Sequence, residues 1–334
     1  MRIGLAGVGR IGALHAETLS RLDQVESLVL ADAYPGRAAA LAAQLGAEAV
    51  ETPAALFDAG LDGLVVAAAT EVHPALILAA VDAGLPVFCE KPVAIDIAGT
   101  LAVLDRVERA RADVHIGFQR RFDPGFALAR EAVQSGRLGW VHTLRAGTLD
   151  PAPPPAEYIP TSGGLFRDCS VHDFDAIRWV TGREVVEVYA VGANRGEEFF
   201  RAAGDVDTGA ALLTLDDDTI GLVSGTRYNA AGYDVRLEIL GAKDSIAVGL
   251  DDRLPLRSAE PGVSWPGGTP YPRFMERFHG AYVAELAAFT DLVAGRIASP
   301  CTVRDALEAS YVAEACELSR REHRPVALAE VRVA

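Results

Sequence analysis

Short apolar runs alternate with segments of helical periodicity over the first third of the chain. Residues 2–8, 27–31, 63–69, 86–89 and 114–118 read as strands, and 11–22, 37–45, 74–83 and 98–110 as helices between them. That alternation predicts a parallel sheet covered by helices on both faces, over residues 1–120. Beyond residue 123 the pattern changes. One more helical segment, 124–135, is followed by strand patterns at 141–149, 185–191, 208–215, 219–226, 235–240 and 245–248. Asp216-Asp217-Asp218 and Gly241-Ala242-Lys243-Asp244 separate neighbouring runs as tight turns, which predicts a mostly antiparallel open sheet. Helical patterns at 276–293 and 303–319 close the chain. The expected class is α/β, with a second, α+β domain over 121–334.

Composition narrows the function classes. A chain of 334 residues, half of them apolar, is an ordinary globular protein of two domains. Its net charge of −15 gives no general attraction for phosphate backbones, so nucleic acid is not an expected partner. No apolar run approaches a membrane span, and Met1 leads into a strand pattern without a basic leader, so a cytoplasmic protein is expected. Cys89, Cys169, Cys301 and Cys316 form no C-x-x-C pair and read as buried reduced thiols, with no metal site.

Gly7-Val8-Gly9-Arg10-Ile11-Gly12 follows the first strand and opens the first helix, the setting a G-x-G-x-x-G dinucleotide loop requires. Gly7 allows the turn, Gly9 lets backbone approach a pyrophosphate, and Gly12 permits close helix packing. The helix start then receives the negative charge. Asp32, at the end of the second strand, suits ribose hydroxyls and repels a 2′-phosphate. The first domain therefore reads as a Rossmann domain for NAD, with nearby Arg37 keeping NADP as the alternative. A plain tight turn, with Asp32 capping a loop, is the competing reading.

Only two of the 31 basic residues are lysines, Lys91 and Lys243. Lys91 lies in Cys89-Glu90-Lys91-Pro92, at the carboxyl end of a predicted strand, where open α/β sheets bind ligands. Together with the glycine loop and Gly163-Gly164-x-x-x-Asp168-x-x-x-His172, this segment resembles the Gfo/Idh/MocA oxidoreductases, and within them the inositol dehydrogenases. Residues 117–123, 233–239 and 277–282 extend the similarity over almost the whole chain. Asp168 and His172, spaced i to i+4, share one face of a helix, although an exposed helical pair has the same spacing. The resemblance implies His172 as general base, Asp168 as its orienter or relay, and Lys91 as the cation on the substrate oxygen. It also implies a cis Lys91-Pro92 peptide, cofactor contacts from Glu90, Thr70 and His73, contacts to cofactor and substrate from Arg120, and a substrate hydroxyl on Tyr233. His15, His115, His142 and His279 carry no expected chemistry.

One segment departs from the pattern. Inositol dehydrogenases carry a triplet with a central arginine before the residue that is Pro151 here, and this chain has Thr148-Leu149-Asp150. If the triplet faces the substrate, Leu149 lowers the polarity of the pocket, while Asp150 can accept hydroxyls or pair with an amino group. The leading expectation is NAD-dependent oxidation of myo-inositol or a related cyclitol. A sugar or aminocyclitol dehydrogenase or ketoreductase, a redox-neutral enzyme with retained NAD, and a non-catalytic NAD(H) sensor remain alternatives. The proline-rich segment 151–155 and the loop 261–272 either border the site or are inert surface. The resemblance implies a homotetramer, or less often a dimer, built through the open sheet faces.

Overall fold

In the computed structural model, which describes residues 1–332, the chain divides into two units: Met1–Gln119 with Gly280–Leu307, and Arg120–His279 with the chain from Glu308 onward. The first unit contains β1 (Arg2–Ala6), α1 (Arg10–Leu19), β2 (Ser27–Ala31), α2 (Arg37–Leu45), β3 (Glu48–Ala49), β4 (Gly63–Val66), α3 (His73–Asp82), β5 (Val87–Glu90), α4 (Ile97–Ala110) and β6 (Val114–Gly117). The six strands form one parallel sheet in the order β3-β2-β1-β4-β5-β6. The order reverses at β1, and the carboxyl ends of β1 and β4 flank the resulting crevice. The sequence pattern misses β3 because two exposed residues carry no periodicity.

In the second unit α5 (Pro124–Gln134), β7 (Val141–Leu149), α6 (Val171–Thr181), β8 (Val185–Ala193), α7 (Glu198–Ala202), β9 (Thr208–Leu215), β10 (Ile220–Thr226), β11 (Asp234–Gly241), β12 (Ser245–Val248) and α8 (Phe274–Arg277) lead to a short β13 (Val326–Ala327). The sheet runs β12-β11-β7-β10-β9-β8-β13, antiparallel throughout except where β7 and β10 lie parallel. Both expected hairpin turns form, with Asp218 in the left-handed region at φ 66°. Burial alternates strictly along β9 and β10. One set of side chains meets the helical side, and the other leaves Tyr189, Val191, Leu212, Ile220 and Leu222 exposed on the open face.

The expected second domain over 121–334 needs a correction. The long helix expected at 276–293 breaks at Phe278 into α8 and α9 (His279–Val293), and residues 280–307 belong to the first unit. Leu286, Phe289 and Leu292 of α9 join a core with Ile3, Leu5, Leu30 and Phe88. Periodicity identifies such a helix but not the core that receives it. The last helix, α10 (Val303–Glu322), runs from the first unit into the second. All four cysteines are buried free thiols. Among the described residues no helix is long and apolar enough to cross a membrane, and no cluster of His, Cys, Asp or Glu suits a metal ion.

Candidate active site

The glycine loop divides its work among three positions. Gly7 sits at φ 93° and Gly12 packs so closely that a Cβ would lie 1.9 Å from the Gly7 carbonyl oxygen. A Cβ on Gly9 would meet nothing within 4 Å. The two outer glycines therefore serve the protein's own packing, while the middle one borders open space beside the start of α1. No side chain caps that helix, so its first-turn amides are left for a ligand. Asp32 is 5 % exposed and fixes this loop: its Oδ2 accepts from the Val8 N–H (2.8 Å) and its Oδ1 from the Tyr34 N–H (2.9 Å). Arg37 lies 3.8 Å from Asp32 and stacks over the Tyr34 ring. Open space, uncapped amides and an acidic strand end together fit a dinucleotide, with ribose hydroxyls on the carboxylate's remaining lone pairs. Arg10 and Ile11 form the first residues of α1, and Thr70 opens a short turn after β4.

Lys91 directly follows β5, and its peptide to Pro92 is cis. Its neighbour Glu90 is held by a residue that the sequence left without a role. His15, fully buried on α1, donates from Nε2 to Glu90 Oε1 at 2.7 Å. His73 is corrected. It is 1 % exposed, with Nδ1 at 2.8 Å from the Pro92 carbonyl and Nε2 at 3.1 Å from that of Ala68. Its ring nitrogens thereby tie the strand end to the Lys91-Pro92 segment, where a cofactor contact was expected of them.

The second unit gathers carboxylates around an arginine. Gly163 and Gly164, both at positive φ, turn the chain into a π-helical turn over Phe166–Ser170 that feeds α6. Asp168 sits in that wide turn and half-buried His172 in the first turn of α6, so the expected regular helix is locally expanded, a distortion frequent at functional sites. Asp168 Oδ2 accepts from Arg227 Nη2 at 2.7 Å and Oδ1 from the Tyr158 hydroxyl at 3.1 Å. Tyr158 follows the proline-rich segment, which therefore borders this cluster. Arg227, one residue past β10, also donates from Nη1 to Asp150 Oδ2 at 2.9 Å and touches the Cys169 sulfur. Burial opposes its charge, but Cys169, Asp168 and Asp150 outweigh that cost and raise its pKa further. No motif points to Arg227, a lone arginine after a strand in an arginine-rich chain.

Arg120 also needs a correction. It is 2 % exposed, donating from Nη1 to Asp173 (2.6 Å) and from Nη2 to Thr148 Oγ1 (2.7 Å), and Thr148 in turn donates to Asp173 (2.7 Å). The guanidinium thus braces β7 against α6, where the sequence placed it on cofactor and substrate. Arg121 makes a matching buried pair with Asp175. Tyr233 lies buried by this group, and burial, partly offset by Arg120, pushes its phenol well above the ordinary range. Leu149 is corrected by strand alternation. Thr148 and Asp150 face the carboxylate cluster, whereas Leu149 lies with Arg145, Gly147 and Leu222 on the open face. The leucine therefore does not change the polarity around Asp168.

Two family models match in succession: the oxidoreductase family with an NAD-binding Rossmann fold over residues 1–118, and the GFO/IDH/MocA C-terminal domain over 126–247. The chain belongs to the GFO/IDH/MocA oxidoreductases. It is 41% identical to the myo-inositol dehydrogenase Hyg17 of Streptomyces leeuwenhoekii, over 96% of this chain and 97% of that one. Among solved structures, a myo-inositol dehydrogenase from Corynebacterium glutamicum superposes with a TM-score of 0.90 at 34% identity, covering 100% of this chain and 99% of that one. The scyllo-inositol dehydrogenase of Lactobacillus casei, with NAD(H) and scyllo-inositol bound, gives 0.87 at 29% identity, over 98% and 99% of the two chains.

Proposed function

We propose that this oxidoreductase oxidises one secondary alcohol of a cyclitol, myo-inositol or a close relative, to a ketone, with NAD as acceptor. The observation that carries the reading is Asp168, fixed by Arg227 and Tyr158 one turn before a half-buried His172, in a chain whose relatives act on inositols. NAD, when bound, would supply the acceptor for the hydride of the carbinol carbon. The imidazole of His172 takes the hydroxyl proton, and the Asp168 carboxylate stabilises the imidazolium that results. Lys91 supplies the cation for the alkoxide as charge develops on the oxygen. Asp150 Oδ1, which accepts no hydrogen bond among the described residues, serves a substrate hydroxyl, and Tyr233 helps shape the polar side of the pocket.

The exposed Tyr189, Val191, Leu212 and Leu222 side chains support assembly through the open sheet face into a homotetramer. Four buried free thiols and a nicotinamide cofactor support a cytoplasmic enzyme. The test is a screen of inositol isomers, sugars and aminocyclitols with NAD and NADP, run beside Lys91→Ala, Asp168→Ala and His172→Ala. NADH is expected from a cyclitol, with each variant folded and inactive. Unchanged rates in all three variants, or turnover of sugars alone, would remove the assignment.

A further inference from the structure

Two carboxylates from different elements, Asp150 after β7 and Asp168 in the π turn, accept hydrogen bonds from one guanidinium. Arg227 supplies the positive charge that the two carboxylates share. Its planar fork places Nη1 on Asp150 and Nη2 on Asp168, a bridge that the single ammonium of lysine cannot make. At 3 % exposure, with its own N–H bonded to the Asp207 carbonyl, the side chain has little room to move.

Resting on the dehydrogenase reading above, we propose that Arg227 is a positioning residue that clamps Asp168 and Asp150 as two carboxylate anions, so that Asp168 orients His172 and never carries the transferred proton. The proton therefore remains on the imidazole until it leaves for solvent. The groups facing the clamp come from every neighbouring element. Tyr158 reaches Asp168 from the proline-rich segment, Cys169 touches Arg227 from the π turn, and His172 follows in the first turn of α6. Asp205, before β9, and Tyr233, before β11, face Arg227 and Asp150 respectively, and Arg120 with its partner Asp173 faces Tyr233. Arg227 donates to both carboxylates.

The clamp predicts shifts of opposite sign. Arg227→Met removes the cation, so the acid limb of the kcat/KM profile rises by about one pH unit or more and kcat at neutral pH falls about 100-fold, recovering toward alkaline pH. Asp150→Asn removes a competing anion, and the limb moves down. Arg227→Lys, which keeps the charge on one carboxylate, falls between wild type and Arg227→Met. NMR titration of the His172 imidazole in cofactor-free protein follows the same order, a readout that a purely structural role would not move. If Arg227→Met fails to fold, Asp150→Asn decides: a downward shift supports the clamp, and an unmoved or upward limb overturns it. A folded Arg227→Met with an unmoved limb also overturns it. Asp168→Asn separates the two layers. If that variant is inactive while the limbs stay fixed, only the clamp falls; if it turns over like wild type, the reading of the site falls with it.

Discussion

The glycine loop and the carboxylate cluster solve the problem of holding charge in opposite ways. Around Gly7, Gly9 and Gly12 the first unit offers backbone amides and open space, and the Asp32 side chain holds the loop in shape. Around Arg227 and Arg120 the second unit offers ionised side chains, each braced by another charge. The first arrangement depends on what is missing, a Cβ, and the second on pairs that must stay complete. Substitutions should therefore fail in different ways in the two places.

The largest effect is expected at Arg120. Arg120→Met leaves Asp173 buried without its partner and should cost about 3–5 kcal/mol in urea unfolding. A loss under about 1 kcal/mol would show that Asp173 is not held as a buried anion. Gly12→Ala comes next. Its methyl collides with the Gly7 carbonyl, a rigid neighbour, and should destabilise by about 2–3 kcal/mol while NAD affinity collapses. The same substitution at Gly9 should behave otherwise. Stability should stay within about 0.5 kcal/mol, because the methyl meets no protein atom, while the KM for NAD rises about tenfold. Equal destabilisation by Gly9→Ala and Gly12→Ala would erase the distinction between packing and ligand glycines.

The smallest effect concerns pH. Burial raises the Asp205 carboxyl above its usual range, against opposing hydrogen bonds from Leu165 and Val206 and the charge of Arg227. A raised carboxyl binds its proton more tightly in the folded state, so its contribution to stability is present at acid pH and lost as pH rises through the folded value. Asp205→Asn should remove that loss. Its thermal midpoint relative to wild type should climb as pH rises from about 4, and a flat difference would place the Asp205 charge in a solvated setting.

The same contrast explains what could be read in advance. The first unit was legible because its logic is local: an apolar run, a glycine spacing and a strand-end acid lie within 32 residues of sequence. Lys91, just past a strand end, and Asp168 and His172, at the start of a helix, were singled out through motifs. Arg227 and His15 were not, because each acts through a partner 59 or 75 residues away, and Tyr158, ten residues before Asp168, sits in an irregular segment where a lone tyrosine carries no signal by itself. Arg120 and His73 were assigned to ligands for a related reason. Motif position placed them near the chemistry, but only the packing shows that both terminal nitrogens of Arg120 and both ring nitrogens of His73 already have partners within the protein. Leu149 shows how little separates the two outcomes, since one step along a strand moves a side chain from the reactive face to the open one.

The most direct test supplies NAD and myo-inositol deuterated on its ring carbons to the wild type and to His172→Ala. The account predicts deuterated reduced cofactor from the wild type, and none from the variant although NAD still binds. Deuterium transfer at the wild-type rate in His172→Ala, or no transfer from any cyclitol in the wild type, would contradict it.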